Sequence, residues 1–194
     1  MNSSKIRLIA FILVALAQLY VPAKMIWNKE DIIATGVEFK FKTAPVDPND
    51  PFRGKYINLN YEDITVAVAN PRDWTIGESI YVLLKTDSTG FAKIKSVSKI
   101  KPTENENFIK AKVWSVYPSG HNKLTIEYPM DRFYMEESKA YDAELSYRDS
   151  QRDTSKITYA LVSIKNGEAV LKEILIDGTP IKEIVEKNQQ RNKE

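Results

Sequence analysis

The feature that most limits how this chain can fold is an apolar stretch near its N-terminus. From Ile6 to Trp27 the only charged side chains are Arg7 and Lys24, close to the two ends, and Gln18 is the only amide between them. At 1.5 Å per residue, a helix of this length rises about 30 Å, roughly the thickness of a bilayer's hydrocarbon core. The stretch therefore predicts a single transmembrane helix.

Three interpretations of the stretch remain open from the sequence. A buried core helix is one, although a helix that is apolar on every side is unusual at a free terminus. A cleaved signal peptide is another, since Ala15-Leu16-Ala17 has the small-x-small form of a cleavage site. The apolar run continues well past Ala17, so we favour an uncleaved anchor. Residues 1–27 are then a cytoplasmic stub and a membrane helix.

The charges around the stretch predict its orientation. Lys5 and Arg7 lie at its start and residues 1–27 contain no acid, so the positive-inside tendency places the N-terminus in the cytoplasm and residues 28–194 outside. Three of the 28 basic residues lie in this N-terminal part, which leaves 25 against 26 acidic residues in the rest. This balance argues against a nucleic-acid partner, which needs a clustered basic excess.

The rest of the chain alternates between apolar and polar residues, the pattern of half-buried strands. Lys165-Asn166-Gly167-Glu168 is the strongest hairpin signal. The predicted strands include Val37–Lys42, Ile57–Tyr61, Ile80–Leu84, Phe91–Ser98, Ile109–Tyr117, Leu124–Tyr128, Ile157–Ile164 and Ala169–Ile176. In the second of these, alternation places Ile57, Leu59 and Tyr61 on a buried face and Tyr56, Asn58 and Asn60 on the other.

One short helix is expected, from Lys139 to about Arg148 with Ser138 as its cap, followed by a polar loop over residues 149–155. Residues 181–194 are mostly polar and are expected to form a frayed tail. The predicted fold is mainly β: an antiparallel β-sandwich or small open barrel over residues 28–180, with one short helix, preceded by a single N-terminal transmembrane helix.

Two blocks of sequence carry a resemblance to a known family. The first block is Gly54-Lys55-Tyr56-Ile57-Asn58-Leu59-Asn60-Tyr61, preceded by Pro45-Val46-Asp47-Pro48 and Phe52-Arg53; the second is Arg132-Phe133-Tyr134-Met135-Glu136-Glu137. Together with the anchor they resemble the GDYXXLXY family, bacterial membrane-anchored proteins of unknown function that are named for the first block. Members often accompany a multi-pass membrane protein encoded nearby, so the resemblance implies such a partner. It implies no established activity.

The first block departs from the family name at one position, because Lys55 stands where the family has Asp. A lysine cannot perform the proton transfer or the metal ligation of an acid. We therefore expect no catalytic role for this position.

Two interpretations of the blocks are open. In the structural one, Leu59 and Tyr61 are core residues, Arg53 pairs with Asp47 or Asp50, and Arg132 forms an ordinary surface ion pair with Glu136. In the functional one, the polar residues form a recognition surface on a loop, where binding residues tend to lie. The predicted surface comprises Asp47, Asp50, Arg53, Lys55, Tyr56, Arg132 and Glu136.

The sequence points to no catalytic residue, cofactor or metal site. There is no Cys, the one histidine, His121, falls in a predicted turn, and Asp47-Pro48-Asn49-Asp50 lacks the spacing of an EF-hand. Two functions remain. The first is a membrane-anchored accessory or binding domain outside the cytoplasm, which supports a multi-pass membrane partner. The second is a membrane-anchored hydrolase of the peptidase type with Ser/Lys or carboxylate chemistry, which would need a Ser or Asp beside a Lys or an acid in a cleft.

Overall fold

The structure is a computed structural model and describes residues 3–45, 56–103, 105–117, 122–153 and 155–191. Its helices are α1 (Ser3–Thr35), α2 (Glu137–Arg152) and α3 (Ile181–Arg191), with a 3₁₀ turn at Pro71–Asp73. The strands are β1 (Val37–Ala44), β2 (Tyr56–Asn58), β3 (Asn60–Tyr61), β4 (Thr65–Ala67), β5 (Ser79–Thr86), β6 (Ala92–Ser98), β7 (Phe108–Tyr117), β8 (Lys123–Glu127), β9 (Arg132–Tyr134), β10 (Thr158–Lys165), β11 (Glu168–Ile176) and β12 (Thr179–Pro180).

The strands form two larger sheets and one small ribbon, and every pairing within them is antiparallel. The first sheet has the order β12-β11-β10-β1-β3 and the second the order β4-β8-β7-β5-β6, while β2 and β9 pair with each other. The edge strands β4 and β6 of the second sheet approach each other, so this sheet is nearly closed and barrel-like. The prediction of a mainly β domain behind an apolar N-terminal helix is confirmed.

The hairpin between β10 and β11 forms where the sequence predicts it. Asn166 and Gly167 both have positive φ, at 53° and 85°, the two-residue geometry that matches the twist of antiparallel strands. A Cβ on Gly167 would lie 2.5 Å from the ring of Phe108, so this position needs glycine for space as well as for conformation.

Helix α1 is longer than the predicted anchor. The segment Ser4–Thr35 is long and apolar enough to cross a membrane, and its most apolar stretch makes no buried contact with the domain. The helix does not end near Trp27 as expected but continues without a break to Thr35. The predicted boundary after residue 27 therefore falls inside a helix, whose last turns over residues 28–35 are more polar than the stretch before them.

The last turns of α1 are docked onto the β10–β11 hairpin. Ile32 is buried, and the carboxylate of Asp31 accepts a hydrogen bond of 2.7 Å from Lys165 Nζ, which lowers the pKa of Asp31. Lys29 lies 3.8 Å from Glu168 on the same hairpin. At Gly36, a Cβ would stand 2.5 Å from the Ile32 carbonyl and 3.0 Å from that of Ile164. The helix thus joins the domain through packed contacts rather than through a free linker.

The C-terminal segment forms a helix instead of the expected frayed tail. Ile181 and Val185 are fully buried at one side of α3, and Ile184 packs beside them. On the other side, Lys139 of α2 donates a hydrogen bond of 2.8 Å to Glu186, and the Gln189 amide donates one of 2.6 Å to Asp142. The segment is helical because its few apolar residues share one face, which is the condition for docking against a core.

Helix α2 also differs from its predicted bounds. It begins at Glu137, so the N-cap position belongs to Glu136 and not to Ser138. The Glu136 side chain makes no cap hydrogen bond. It continues through Arg152 over part of the expected loop, because its buried face keeps the helical spacing Ala140, Ala143, Tyr147 and Ser150. The longer helix gives α3 a surface on which to pack.

Candidate recognition surface

The two blocks singled out in the sequence lie side by side in the fold. Strand β2 of the first block pairs with β9 of the second in the register Tyr56 with Tyr134, Ile57 with Phe133, and Asn58 with Arg132. We call this pair the signature ribbon. Because side chains alternate across a strand, the ribbon has one face toward the core and one toward solvent.

The inner face of the ribbon belongs to the hydrophobic core. Ile57 is 1% exposed, and Phe133 and Leu59 are also buried. The backbone N–H of Leu59 donates a hydrogen bond of 2.8 Å to the carbonyl of Asp131, just before β9 begins. The predicted burial of Ile57, Leu59 and Tyr61 is confirmed, and so is the opposite orientation of Tyr56.

Tyr61, the last residue of the first block, fixes the segment that leads into β9. Its hydroxyl donates a hydrogen bond of 2.5 Å to the carbonyl of Met130, and burial raises its pKa well above the ordinary value for tyrosine. Its ring makes edge-to-face contacts with Phe41 at 5.6 Å and with Tyr128 at 5.7 Å, and those two rings lie 5.5 Å apart. These contacts hold the second block against the first.

The outer face of the ribbon carries Tyr56, Asn58, Arg132 and Tyr134. The rings of the two tyrosines are 5.4 Å apart, and the Arg132 guanidinium lies 5.1 Å from the centre of the Tyr56 ring. A hydrogen bond to the Tyr134 hydroxyl raises the pKa of Arg132, and the neighbouring Asp131 carboxylate adds to the effect. Tyr134 is nevertheless 63% exposed. An exposed, pre-ordered group of two aromatic rings and a guanidinium is the residue combination enriched in protein interfaces.

The structure separates some of the predicted surface residues and leaves others outside its description. Arg132 lies 3.6 Å from Asp131 rather than pairing with Glu136, whose carboxylate lies 3.6 Å from Lys139 at the start of α2. Tyr56 and Arg132 are brought together. The remaining predicted residues Asp47, Asp50, Arg53 and Lys55 lie outside the described residues, as does His121.

Tyr134 was missed by the sequence analysis, although a signal was present. It stands two residues after Arg132, so in a strand both side chains point to the same face. The intervening Phe133 is apolar and therefore the better core residue. The alternation in Arg132-Phe133-Tyr134 thus identifies Tyr134 as the second exposed member of the block.

A groove runs beside the ribbon along the second sheet. One part, of about 250 Å³, is lined by Leu59, Asn60, Tyr61 and Trp114; Trp114 is 62% exposed at a break in the register between β7 and β8. The adjoining part, of about 470 Å³, shares Glu127, Tyr128 and Asp131 with it and adds Lys99, Lys110 and Lys112. Because both signs of charge are mixed in the lining, the groove is not a site selective for a simple anion or cation.

Three of the four buried polar residues in the described ranges, Thr43, Ser150 and Thr158, take part in the packing of α2. The hydroxyl of Ser150 donates to the carbonyl of Tyr147 at 2.7 Å and accepts from Thr158 at 2.8 Å. The hydroxyl of Thr43 donates to the carbonyl of Thr158 at 3.0 Å and accepts from Gln151 at 2.8 Å. Within the described ranges, no lysine or carboxylate takes part in this network, and none is hydrogen-bonded to the buried Ser163. No group of three or more His, Asp or Glu side chains in these ranges is placed to hold a metal ion.

Comparison with known proteins gives one match. A family model described as GDYXXLXY protein matches residues 18–174. This range includes the C-terminal half of α1, both blocks of the signature ribbon and nearly all of the two larger sheets. No curated protein and no solved structure matches the chain.

Proposed function

Since the chain belongs to the GDYXXLXY family, we propose that it is a membrane-anchored accessory protein of the bacterial envelope that binds a multi-pass membrane partner. In this proposal α1 is an uncleaved anchor with its N-terminus in the cytoplasm, and the β-rich domain lies outside. The outer face of the signature ribbon is the surface that meets the part of the partner outside the membrane. In this proposal the domain acts by binding its partner.

The observation that carries the proposal is the pairing of the two blocks. Their apolar residues explain the inner face of the ribbon, since Ile57 and Phe133 are core. Core packing does not explain the residues of the outer face, because Tyr134 is largely exposed there. Its ring nevertheless contacts Tyr56, which in turn lies against Arg132. Aromatic and arginine side chains held in place before binding lose little conformational entropy on contact.

The position of the ribbon in the fold supports a role away from the bilayer. Lys29 and Asp31 of α1 contact the tip of the β10–β11 hairpin. Gly36, the residue before β1, lies against Ile164, which precedes that tip in β10. Strand β10 therefore runs toward the anchor and its neighbour β1 runs away from it. Strand β3 pairs with the far end of β1, about 20 Å along the strand at 3.3 Å per residue. A partner that contacts the ribbon needs a segment outside the membrane.

The four predicted surface residues Asp47, Asp50, Arg53 and Lys55 remain part of the proposal. They stand within nine residues before Tyr56 in the sequence and carry charges of both signs. Glu136 follows β9 by two residues, and because Tyr134 pairs with Tyr56, it contributes one more carboxylate at the end of the ribbon where the chain enters β2. Rim charges of this kind influence association rate and partner selection more than affinity.

The proposal is tested by capturing the partner with tagged full-length protein from detergent-solubilised native membranes. We expect Tyr134→Ala and Arg132→Ala each to weaken capture by roughly five- to thirtyfold, the effect of losing about 1–2 kcal/mol at an interface anchor. Tyr141→Ala on α2 is the matched control, because Tyr141 is also a strongly exposed tyrosine but lies off the ribbon. It should leave capture unchanged. Equal capture by all three variants would contradict the proposed surface.

The hydrolase alternative has no observation in its favour among the described residues. It requires a serine or aspartate beside a lysine or a second acid in a cleft. Ser79 and Asp131 share the lining of the groove with lysines and with Glu127, but among the described residues no hydrogen bond or ion pair joins either of them to a lysine or to a second acid.

A further inference from the structure

Helix α1 carries an unusual pair of polar groups at the level of Gln18. Gln18 lies twelve residues after Ile6 and nine before Trp27, about 18 Å and 14 Å along the helix, so it falls near the middle of the proposed span. Its side-chain amide has two N–H donors and one acceptor. In the hydrocarbon core no water is available to satisfy them, and polar residues at this depth usually face another helix.

The second polar group is the backbone carbonyl of Gln18 itself. Pro22 lies four residues later inside the same helix, and proline has no N–H to donate to that carbonyl. Long side chains in a helix point back toward its N-terminus, whereas the carbonyl points toward its C-terminus, so the amide of Gln18 does not reach its own carbonyl. No Ser or Thr lies between Ile6 and Trp27 to take the place of the missing donor.

We propose that the Gln18 face of α1 docks against one transmembrane helix of the multi-pass partner, and that this helix supplies a hydrogen-bond donor at mid-bilayer depth. The inference rests on the proposed function, since it needs α1 to span the membrane. A donor such as Ser, Thr, Asn or Gln on the facing helix satisfies the Gln18 carbonyl or its amide oxygen. The neighbouring residues on this face, Val14 and Val21, supply the apolar packing around the polar contact.

The structure argues against a second copy of this chain as the occupant. Ile32, buried against the domain, lies fourteen residues after Gln18, which is about four full helical turns, so both side chains point to nearly the same side of the helix. Lys29, which contacts Glu168 of the domain, lies eleven residues after Gln18, or about three turns. The Gln18 face is therefore the side over which the domain sits. Two parallel copies paired through this face would bring both domains into the space above one interface.

A helix of a multi-pass protein avoids that conflict. Where such a helix ends at the bilayer surface in a short loop, it brings no second domain into that space. The Gln18 face and the outer face of the ribbon then offer the partner one contact inside the membrane and one outside. Two linked contacts bind more tightly than either alone, because the second forms at a high effective concentration.

The test is photo-crosslinking in native membranes with the full-length chain, using a photoreactive amino acid at one position of α1 at a time. Positions 14 and 21 flank Gln18 on its face, whereas positions 9 and 16 lie on the opposite side of the helix. We expect an adduct with a multi-pass membrane protein, identified by mass spectrometry, from positions 14 and 21 and not from 9 and 16. Gln18→Leu should lower its yield about threefold to thirtyfold, the range expected for one interhelical hydrogen bond in a membrane.

A transposed variant, Gln18→Leu together with Leu16→Gln, keeps the composition of the helix and moves the amide to the other side. In this variant, the yield of the adduct from position 14 should fall as far as it does in the single variant. The inference is overturned if the yield does not change, if both sides of the helix crosslink equally, if the adduct joins two copies of this chain, or if an embedded chain gives no adduct. Alkaline carbonate extraction of each variant separates these outcomes from failure of the proposed function, because a chain that is extracted is not embedded at all.

Discussion

Replacing Leu59 by alanine is expected to lower the free energy of unfolding by about 2–5 kcal/mol, the range for truncating a buried leucine. Leu59 is 4% exposed, lies between β2 and β3, and packs in the core beneath the signature ribbon. Its loss leaves a cavity where the first block meets the segment that leads into β9. Urea unfolding of the detergent-solubilised chain, followed by near-ultraviolet circular dichroism, measures the change.

Tyr56→Ala is the matched control within the same block. Tyr56 faces the other way and contacts Arg132 and Tyr134 at the surface, so its truncation should cost about 1 kcal/mol or less, as for other partly exposed contacts. Leu59→Met, which keeps the volume, should cost less than about 1.5 kcal/mol. If Tyr56→Ala unfolded the domain while Leu59→Ala did not, the strand would have the opposite register and the outer face described here would not exist.

Replacing Ile181 by alanine should also cost about 2–5 kcal/mol, because its side chain is completely buried at the start of α3. Lys187→Ala on the exposed side of the same helix should change stability by no more than about 0.5 kcal/mol. The same urea titration compares the two variants.

A chain that ends at Pro180 distinguishes a docked helix from a frayed tail. Removing α3 exposes the apolar surface that Ile181 and Val185 cover and deletes the hydrogen bond between Lys139 and Glu186. We expect this truncated chain to be strongly destabilised and prone to aggregate, as judged by gel filtration in detergent. Normal stability of the truncated chain would show that α3 contributes nothing to the fold.

The strands could be predicted from the sequence because their physical cause is local. A period of two in apolar residues is visible in any short window, and Asn166-Gly167 sets the turn between β10 and β11 by its own backbone preferences. The burial of Ile57, Leu59 and Tyr61 follows from the same alternation. The order of strands in the sheets does not, since β1 pairs with β10 more than a hundred residues later.

The helices were predicted less well, each for a physical reason. The mostly polar composition of residues 181–194 concealed the spacing of Ile181, Ile184 and Val185, which is one face of a helix. The end of the apolar run at Trp27 suggested the end of α1. The helix continues because Asp31 and Ile32 gain partners on a hairpin far away in sequence.

The candidate site was predicted in part. The resemblance named both blocks, and the structure places Tyr56 of the first beside Arg132 of the second. No local pattern indicates that β2 pairs with β9, because about seventy residues separate them and the pairing depends on the contacts of Tyr61 with Tyr128 and Met130. Glu136 does not pair with Arg132, because it is the residue directly before α2 and its carboxylate lies near Lys139.

The most direct test of a membrane-anchored domain with its ribbon outside the cytoplasm uses the absence of cysteine from the chain. Single variants Tyr134→Cys and Ser4→Cys are treated in intact spheroplasts with a thiol reagent that does not cross membranes, and then again after permeabilisation. We predict that the Tyr134→Cys chain is labelled in intact spheroplasts and that the Ser4→Cys chain is labelled only after permeabilisation. Labelling of the Ser4→Cys chain alone in intact spheroplasts, or recovery of a mature chain that begins at Gln18, would contradict the account.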